Sequence, residues 1–232
     1  MIVGHGMLAK KFRDFEKDPR FIIFASGVSD SSTNAAEAFD REKKLLFDQV
    51  ERAKSSTLVY FSTCSIYDES SQNSAYIKHK LQMELLIKKN FADWVIFRVS
   101  NPVGFTENKH TVFNYFIQHI TDGTSFQVWT NAERNILDID DMYIACCYFL
   151  RQPAHHNKII DIANPVNYSV IEIVHAIETH FGKKGNYQLV SRGGGPKIDK
   201  PAMETLFRNL NISFGPDYLK NILNKYFKPY DV

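Results

Sequence analysis

Residues 58–87 constrain the fold of this chain more than any other stretch. They open with a short apolar, aromatic and β-branched run, LVYF, which is typical of a buried strand. The run ends at Ser62 and Thr63, and a polar loop leads from there into an amphipathic helical pattern. We therefore expect two hydroxyl groups at the carboxyl end of a strand, where α/β proteins commonly place reacting groups.

The helical part of this stretch carries Tyr76 and Lys80, four residues apart. Residues at that spacing share one face of a helix, so the phenol and the ammonium can point into the same cleft. An adjacent ammonium favours the phenolate, so we expect Lys80 to lower the pKa of Tyr76 and allow it to act as an acid or a base. Thr63, hydrogen-bonded to the same substrate oxygen, would hold that oxygen in line. The alternative is a solvated surface pair, the usual outcome for Tyr and Lys at this spacing.

The surroundings of this pair favour the chemical interpretation. Ile66 and Tyr67 follow the strand, Glu84 comes four residues after Lys80, and residues 98–104 have the sequence RVSNPVG. Together with the strand that ends in Ser-Thr and the Tyr-x-x-x-Lys pattern, these features resemble the extended short-chain dehydrogenase/reductase family. The nucleotide-sugar epimerases, dehydratases and ketoreductases of that family are the most similar.

The resemblance implies a fold and a cofactor. The fold is a Rossmann-like, doubly wound parallel α/β sheet with a small C-terminal substrate lobe, and the cofactor is NAD or NADP. Residues 1–232 would form a single domain of this kind. Residues 1–105 would mainly bind the cofactor and carry the catalytic groups, and parts of residues 106–232 would form the lobe.

The chain begins with a minimal strand, residues 1–3, followed by the sequence GHGMLA and a helical run. A G-x-G-x-x-A pattern between a strand and a helix favours a turn in which the backbone approaches a pyrophosphate and the helix N-terminus faces it. An ordinary glycine-rich turn is the alternative.

Phe21–Phe24 is predicted to be the next strand, and Ala25, Ser26 and Gly27 follow it. A dinucleotide-binding fold places an acidic residue at the end of its second strand. Asp30 lies six residues beyond this strand, and we expect it not to contact an adenosine ribose. In the family, an Ala-x-Gly signature closes the fourth strand, so the resemblance implies that the usual second and third strands are absent. The first strand would then lie at or near a sheet edge, and the cofactor would bind weakly.

Further binding residues are implied after the next apolar strand. The resemblance places Ser100 and Val103 beside the cofactor and Asn101 beside the substrate. Arg134 opens the segment RNILDIDD, which resembles the family element whose arginine contacts the diphosphate of a nucleotide sugar. Arg134 is either such a phosphate ligand or a partner in a surface ion pair. Asp141, the last residue of the segment, is expected to be a helix N-cap.

Cys64 and Ser65 stand where the dehydratases of the family carry acidic residues, so dehydration is the least favoured of the three chemistries. Cys64 joins Thr63, Asn101 and Arg134 as a substrate-binding candidate, and a small residue packed behind the strand end is the alternative. The implied cofactor-binding residues are Gly4, Gly6, Met7, Leu8, Ala25, Ser26, Gly27, Ser62, Tyr76, Lys80, Ser100 and Val103.

Composition narrows the choice of partners. With 232 residues, 44% of them hydrophobic, the chain can bury a sizeable core, and its net charge of +2 without a basic stripe argues against nucleic acid. Its longest apolar runs are about six residues, against roughly twenty for a membrane span. No signal-peptide pattern opens the sequence. The three cysteines lack metal-ligand spacing and an even count, so we expect a cytoplasmic protein without a membrane or metal.

Two other segments allow alternatives. Residues 35–53 predict an amphipathic helix, and in the family this helix and the Tyr-Lys helix often form a dimer interface. A homodimer is therefore one outcome, and ordinary core packing is the other. Residues 191–196, SRGGGP, are the most flexible by composition and predict a linker or a loop over the sugar site.

The leading hypothesis is an NAD(P)-dependent oxidoreductase or epimerase that acts on a nucleotide-activated sugar in polysaccharide or glycan precursor synthesis. Tyr76 would exchange a proton with the sugar, Lys80 would also hold the nicotinamide ribose, and Thr63 would orient the reacting oxygen. The alternative, which the two missing strands motivate, is a cofactor-poor binding or regulatory subunit. A binding subunit of that kind would not need Thr63, Tyr76 and Lys80 together.

Overall fold

The computed structural model describes residues 1–229. The strands in this range are β1 (Ile2–Val3), β2 (Phe21–Phe24), β3 (Thr57–Thr63), β4 (Trp94–Val99), β5 (Asn101–Val103), β6 (Phe126–Trp129), β7 (Glu133–Arg134), β8 (Ile136–Asp138), β9 (Lys158–Ile162), β10 (Tyr168–Ser169) and β11 (Tyr187–Val190). The helices are α1 (Met7–Lys11), α2 (Ala36–Phe47), α3 (Ala75–Asn90), α4 (Val112–Asp122), α5 (Ile139–Leu150), α6 (Val170–Phe181), α7 (Lys200–Asn209) and α8 (Tyr218–Tyr226). Within these residues, no helix combines the length and the apolar character that a membrane span requires.

Five strands form a parallel sheet in the order β1-β2-β3-β4-β9. Every residue of β2 and β3 is buried, as expected for a parallel sheet that is covered on both faces. Leu46 of α2 and Met83 of α3 join the core on one face. On the other face, the ring of Phe12 lies 5.0 Å from the ring of Phe61, centroid to centroid. The sheet is the Rossmann-like α/β arrangement that the sequence predicts.

Strand β1 forms one edge of this sheet. Within residues 1–229 it pairs with β2 alone, with Ile2 opposite Ile23 and Val3 opposite Phe24. The prediction that the strand before the glycine turn lies at an edge is confirmed. The sheet therefore lacks, in this part of the chain, the two strands that would extend it beyond β1.

Several helix ends differ from the predicted ones. Helix α2 stops at Phe47, whereas the sequence pattern predicts a helix up to residue 53, which instead falls in a short 3-10 turn. Helix α5 begins at Ile139, so Asp141 lies in its first turn and is not the predicted N-cap. Its charge there still complements the helix dipole. Helix α6 is capped at its C-terminus by Gly182, whose φ of 63° is left-handed.

The chain divides into two compact units. The first contains residues 1–66, 71–99 and 139–162, and the second contains residues 67–70, 100–138 and 163–232, of which 230–232 lie outside the described part. Residues 139–162 thus return to the first unit, and the second unit takes the other parts of residues 106–232 together with residues 67–70 and 100–105. The core of the second unit is built around helices α4, α6 and α8 with strand β6.

Residues 191–196 form a loop without helix or strand, which is one of the two predicted outcomes, and this loop is closely packed within the second unit. A Cβ atom at Gly193 would lie 2.6 Å from the Cβ of Ala132, and φ there is +102°. A Cβ atom at Gly195 would lie 2.6 Å from the Cβ of Glu133. The backbone N–H of Glu133 also donates to the carbonyl of Gly194 at 2.9 Å. A side chain at either position would collide with these neighbours, so the two glycines allow the close packing.

Candidate active site

The end of β3 and the start of α3 bring Thr63 and Tyr76 together. Ser74 fixes where α3 begins, because its hydroxyl accepts a hydrogen bond from the N–H of Ile77 at 3.2 Å. The side chain of Tyr76 is hydrogen-bonded to the side chain of Thr63. Both residues are buried. The predicted proximity of the two hydroxyl groups is therefore present in the structure.

Lys80 lies one helical turn after Tyr76, with its Nζ atom 5.9 Å from the centroid of the Tyr76 ring. Nζ donates to the Tyr60 hydroxyl at 3.1 Å, to Oε1 of Glu42 at 3.2 Å and to the carbonyl of Phe61 at 3.5 Å. An ammonium has three N–H donors and no acceptor. All three donors of Lys80 are therefore engaged within the first unit.

Glu42 of α2 is the residue that the sequence interpretation did not identify. Its carboxylate is fully buried and accepts four hydrogen bonds, from the N–H of Val28 (2.7 Å), His79 Nε2 (2.9 Å), the Tyr60 hydroxyl (2.6 Å) and Lys80 (3.2 Å). Burial raises the pKa of Glu42, but the charge of Lys80 and these hydrogen bonds outweigh it and lower the pKa to about 2. Glu42 is ionised, so His79 must carry its proton on Nε2 to donate.

The pKa of Tyr76 moves in the direction opposite to the predicted one. Burial of the phenol raises the pKa, and the charge of Glu42 raises it further. The charge of Lys80 and the hydrogen bond with Thr63 lower it, as expected, but by less. The prediction that Lys80 brings the net pKa down is therefore wrong, because it neglected the desolvation of the phenol and the buried carboxylate.

Ser62 and Cys64, which flank Thr63, are engaged in the protein core. The Ser62 hydroxyl donates to Oε1 of Glu84 at 2.6 Å, and Arg98 binds both oxygens of the same carboxylate, at 2.9 and 2.7 Å. The Cys64 thiol donates to the carbonyl of Arg98 at 3.1 Å, and burial raises its pKa. The position of Cys64 agrees with the packed alternative. The hydroxyl of Ser62 is engaged with Glu84, so a cofactor contact at this residue would fall to its backbone.

The glycine turn after β1 has open space beside Gly6 but not beside Gly4. Gly4 has a φ of +122°, and a Cβ atom there would lie 2.6 Å from the carbonyl oxygen of Ala25. A Cβ atom at Gly6 would meet no atom within 4 Å. Gly6 precedes the N–H groups of α1, so its backbone is accessible to a pyrophosphate, as the cofactor prediction requires. Met7 and Leu8, in the first turn of this five-residue helix, are half-buried.

The segment after β2 faces two different environments. Ser26 accepts hydrogen bonds from the exposed Arg41, at its hydroxyl (3.3 Å) and its carbonyl (3.2 Å). A Cβ atom at Gly27 would lie 2.6 Å from Nζ of Lys80. The absence of a side chain at Gly27 therefore makes room for the Glu42–Lys80 pair. Asp30 accepts bonds from the N–H and hydroxyl of Ser32 in a local turn.

The second unit contains the remaining predicted residues. Ser100 is 5% exposed, and its hydroxyl has no hydrogen-bond partner among residues 1–229. Asn101 donates to the carbonyl of Asn135 at 3.0 Å, and Val103 is buried in the core. Arg134 donates to the carbonyl of Glu133 at 2.7 Å. Burial lowers the pKa of Arg134, and the charge of Asp68 opposes this effect.

Comparison with protein families decides the classification. The model of the NAD-dependent epimerase/dehydratase family matches residues 7–163, which is more than half of the chain. The chain belongs to this family. Among proteins with curated descriptions, a sequence search finds no match.

Solved structures of epimerase/dehydratase enzymes have the same fold. The UDP-glucuronic acid 4-epimerase of Bacillus cereus, in complex with UDP-glucuronic acid and NAD, is 17% identical, with a TM-score of 0.71 over 95% of this chain and 77% of that one. The dTDP-glucose 4,6-dehydratase of Bacillus anthracis, in complex with NAD, is 15% identical, with a TM-score of 0.67 over 96% and 77%. RMD of Pseudomonas aeruginosa, complexed with NADPH, is 14% identical, with a TM-score of 0.68 over 91% and 82%. At these identities the likeness shows the fold alone.

Proposed function

We propose that this family member is an NAD(P)-dependent oxidoreductase or epimerase that acts on a nucleotide-activated sugar, in polysaccharide or glycan precursor synthesis. The observation that carries the proposal is the meeting of Thr63, Tyr76 and Lys80 at the carboxyl end of β3. The two hydroxyls are hydrogen-bonded to each other, and the ammonium lies 5.9 Å from the phenol ring. A surface Tyr-Lys pair would be exposed, whereas Tyr76 is 9% and Lys80 is 3% exposed.

Each side chain has a role in this proposal. Tyr76 gives its proton to the sugar oxygen during reduction and accepts one during oxidation. Thr63, bonded to Tyr76, orients that oxygen. Lys80 supplies the positive charge that opposes the desolvation of the phenol. A nicotinamide cofactor, when bound, supplies the redox chemistry that none of these side chains can perform.

The residues of the glycine turn fit such a cofactor at its pyrophosphate. The open space at Gly6 allows backbone N–H groups to approach phosphate oxygens. Because β1 is an edge strand, the described sheet offers no neighbouring strand to carry an acidic residue for the adenosine ribose. We therefore expect weak binding, held by the turn and by the nicotinamide end of the site.

A cofactor-poor binding or regulatory subunit is the second candidate. One observation favours it: every donor of Lys80 already has a protein partner, so the ammonium can bind a ribose hydroxyl only by giving up a bond. Against it, a binding subunit would have no need for Thr63, Tyr76 and Lys80 to meet at the end of β3.

Calorimetric titration with NADH, NADPH and a panel of nucleotide sugars tests the two candidates, with turnover of keto-sugars measured in parallel. The oxidoreductase proposal expects binding of one nicotinamide form and turnover that Tyr76→Phe abolishes. Binding of a nucleotide sugar without measurable affinity for either nicotinamide form would favour the subunit.

A homodimer formed through α2 and α3 is part of the proposal. Three apolar side chains of these helices are exposed: Phe47 by 44%, Leu81 by 39% and Leu85 by 65%. Sedimentation of the purified chain, with Leu85→Glu as the variant, tests it. A wild-type protein that sediments as a monomer at all concentrations would contradict this part of the proposal alone.

A further inference from the structure

A cavity of about 350 Å³ opens at the amino edge of the parallel sheet, within the first unit. Its wall includes residues that precede or begin three neighbouring strands: Arg20 and Phe21 at β2, Ser56 and Thr57 at β3, and Asp93 at β4. The candidate active site lies at the other end of β3, six residues further along the strand, or roughly 20 Å away. Ligands of α/β folds ordinarily bind at the carboxyl ends of the strands, so this cavity is separate from that site.

A histidine in the cavity wall has its ring orientation fixed by an aspartate. Nδ1 of His156 donates to Oδ2 of Asp93 at 3.0 Å, because an ionised carboxylate can only accept. The Thr57 hydroxyl donates to the same oxygen at 2.7 Å and holds the carboxylate in place. With its proton on Nδ1, the neutral imidazole keeps Nε2 as a hydrogen-bond acceptor. Among residues 1–229, Nε2 of His156 has no partner, so this acceptor is available to a ligand.

Three cations line the same cavity, and they differ in how they are engaged. The guanidinium of Arg151 makes no hydrogen bond or ion pair with the described part of the chain. Lys54 contacts Glu51 at 2.6 Å, and Arg20 contacts Asp18 at 2.6 Å, both with carboxylates outside the cavity wall. The Lys54 pair is exposed on both sides, and exposed pairs are weak, so an anion in the cavity can recruit this ammonium. Arg151 and Lys54 are therefore the cations that a ligand can use.

The polar groups of the cavity wall match a ligand that carries both a phosphate and hydroxyl groups. A planar guanidinium binds phosphate oxygens through two N–H groups, and Lys54 adds a second charge. The carboxylate of Asp93 and Nε2 of His156 are acceptors, which disfavour a bare anion and favour one that also brings hydroxyl donors. A volume of about 350 Å³ lies at the small end of the range for small-molecule sites, roughly 300–1,000 Å³. This size suits a monosaccharide phosphate better than a dinucleotide.

We propose that this cavity is a second binding site of the protein, and that its ligand is the phosphate ester of a monosaccharide. Arg151 and Lys54 bind the phosphate, and the Asp93–His156 pair accepts hydrogen bonds from the sugar hydroxyls. The site does not depend on the proposed oxidoreductase function, because it shares no residue with the candidate active site and lies at the opposite edge of the sheet.

Calorimetric titration of the purified full chain, slightly above neutral pH, tests the proposal with four probes. These are glucose 1-phosphate, glucose 6-phosphate, methyl glucoside and inorganic phosphate. At least one of the two sugar phosphates should bind more tightly than inorganic phosphate, and methyl glucoside should not bind measurably. If neither sugar phosphate binds, or if inorganic phosphate binds as tightly as both, the cavity is an ordinary water-filled cleft and the proposal fails.

Two variants test the assigned contacts, with thermal unfolding as the check that each variant is folded. Arg151→Gln should weaken binding of the sugar phosphate about tenfold or more, because it removes a charge-assisted bond to the phosphate. His156→Phe keeps a planar ring but removes the acceptor, so it should weaken the sugar phosphate more than inorganic phosphate. The matched control is Arg52→Gln, an exposed arginine in the same 3-10 turn as Lys54 but outside the cavity wall, and it should bind as wild type does. Unchanged binding in Arg151→Gln, or an equal loss in Arg52→Gln, would overturn the proposal.

Amide chemical shifts of the wild-type protein locate the ligand without any variant. A saturating sugar phosphate should move the amide signals of residues 53–57 and 150–156 and leave those of Thr63 and Tyr76 in place. Shifts at Thr63 and Tyr76 alone would put the sugar phosphate in the candidate active site and contradict a second site. Because none of these measurements needs turnover, a chain without oxidoreductase activity would defeat the proposed function and leave this site standing.

Discussion

The two ends of the candidate site are built with very different amounts of structure. At the glycine turn, the flanking elements are a strand of two residues paired on one side and a helix of five residues. At the reacting centre, the flanking elements are a strand of seven buried residues and a helix of sixteen. The comparison teaches that the positions of the reacting groups are fixed by the fold itself, whereas the turn depends on the conformation of single glycines.

The two ends of the candidate site also differ in how their polar groups are buried and paired. At the reacting centre, Glu42, Tyr60, His79 and Lys80 are all buried, and their hydrogen bonds satisfy one another. At the glycine turn, Gly4 and Gly6 are exposed, and Gly6 faces open space. We therefore expect substitutions at the centre to have large effects and substitutions at the turn to have smaller ones.

Tyr76→Phe should have the largest effect. It removes one hydroxyl and keeps the ring, so thermal unfolding and cofactor affinity should change little, while kcat for a keto-sugar falls by roughly 10²–10⁴. Tyr148→Phe, on the exposed side of α5, is the control and should be silent. If Tyr76→Phe turns over as fast as wild type, α3 does not carry the catalytic acid.

Lys80→Met should have the second largest effect, because it leaves Glu42 as a buried charge without its cation. Breaking a buried ion pair from one side costs about 3–5 kcal/mol, which urea denaturation would measure. Turnover and cofactor affinity should fall, and the basic limb of turnover should move to higher pH because Tyr76 loses the charge that lowers its pKa. Lys78→Met, exposed on the same helix, is the control. A loss no larger than that of the control would contradict the buried pair.

Protonation of Glu42 in acid should cost as much stability as Lys80→Met, or less. The pKa of Glu42 falls from 4.5 to about 2 on folding, so its contribution is fully present above pH 4.5 and is lost as the pH drops through 2. A shift of this size is worth roughly 3 kcal/mol. Stability measured between pH 5 and pH 2 should therefore fall more steeply in wild type than in Glu42→Gln. If stability falls equally with pH in wild type and in Glu42→Gln, this carboxylate has the same pKa in the folded and the unfolded protein.

Gly4→Ala should have a smaller effect, roughly 1–3 kcal/mol in stability, because it strains one positive-φ residue and pushes against the carbonyl of Ala25. Gly6→Ala meets open space, so its unfolding curve should overlay that of wild type. If the turn holds a pyrophosphate, Gly6→Ala should still weaken NADH binding in calorimetry. Unchanged NADH binding in Gly6→Ala would show that the glycine turn does not bind the cofactor.

The sequence predicts the sheet well because buried parallel strands are short apolar runs between polar loops. The run at Phe21–Phe24 has the bounds of β2, and the edge position of β1 follows from the implied absence of two strands. Residues 191–196 form a loop, as one of the two predictions has it, but their close packing was not predicted. Glycine-rich composition indicates freedom in an isolated chain, but here the same glycines allow close contact with Ala132 and Glu133.

The electrostatics of the site were the least predictable part. A signal for Glu42 existed: it lies four residues after Ala38 and four before Leu46, so it falls on the apolar stripe of α2 rather than on its charged face. What the sequence could not supply is the partner, because Lys80 lies on another helix. The predicted direction of the Tyr76 pKa shift was wrong because it left out the burial of the phenol and the charge of Glu42.

The parallel pairing of β4 with β9 sets a condition on how the chain is made. Val95 pairs with Lys158, and residues 100–157 come between the two strands in the sequence. A ribosome adds about 5–20 residues per second, so β4 has to wait roughly 3–12 seconds for its last neighbour. During that interval the nascent chain carries a sheet with a bare edge, which is a template for pairing with other chains. The folding hazard of this protein is therefore greatest while residues 100–157 are being synthesised.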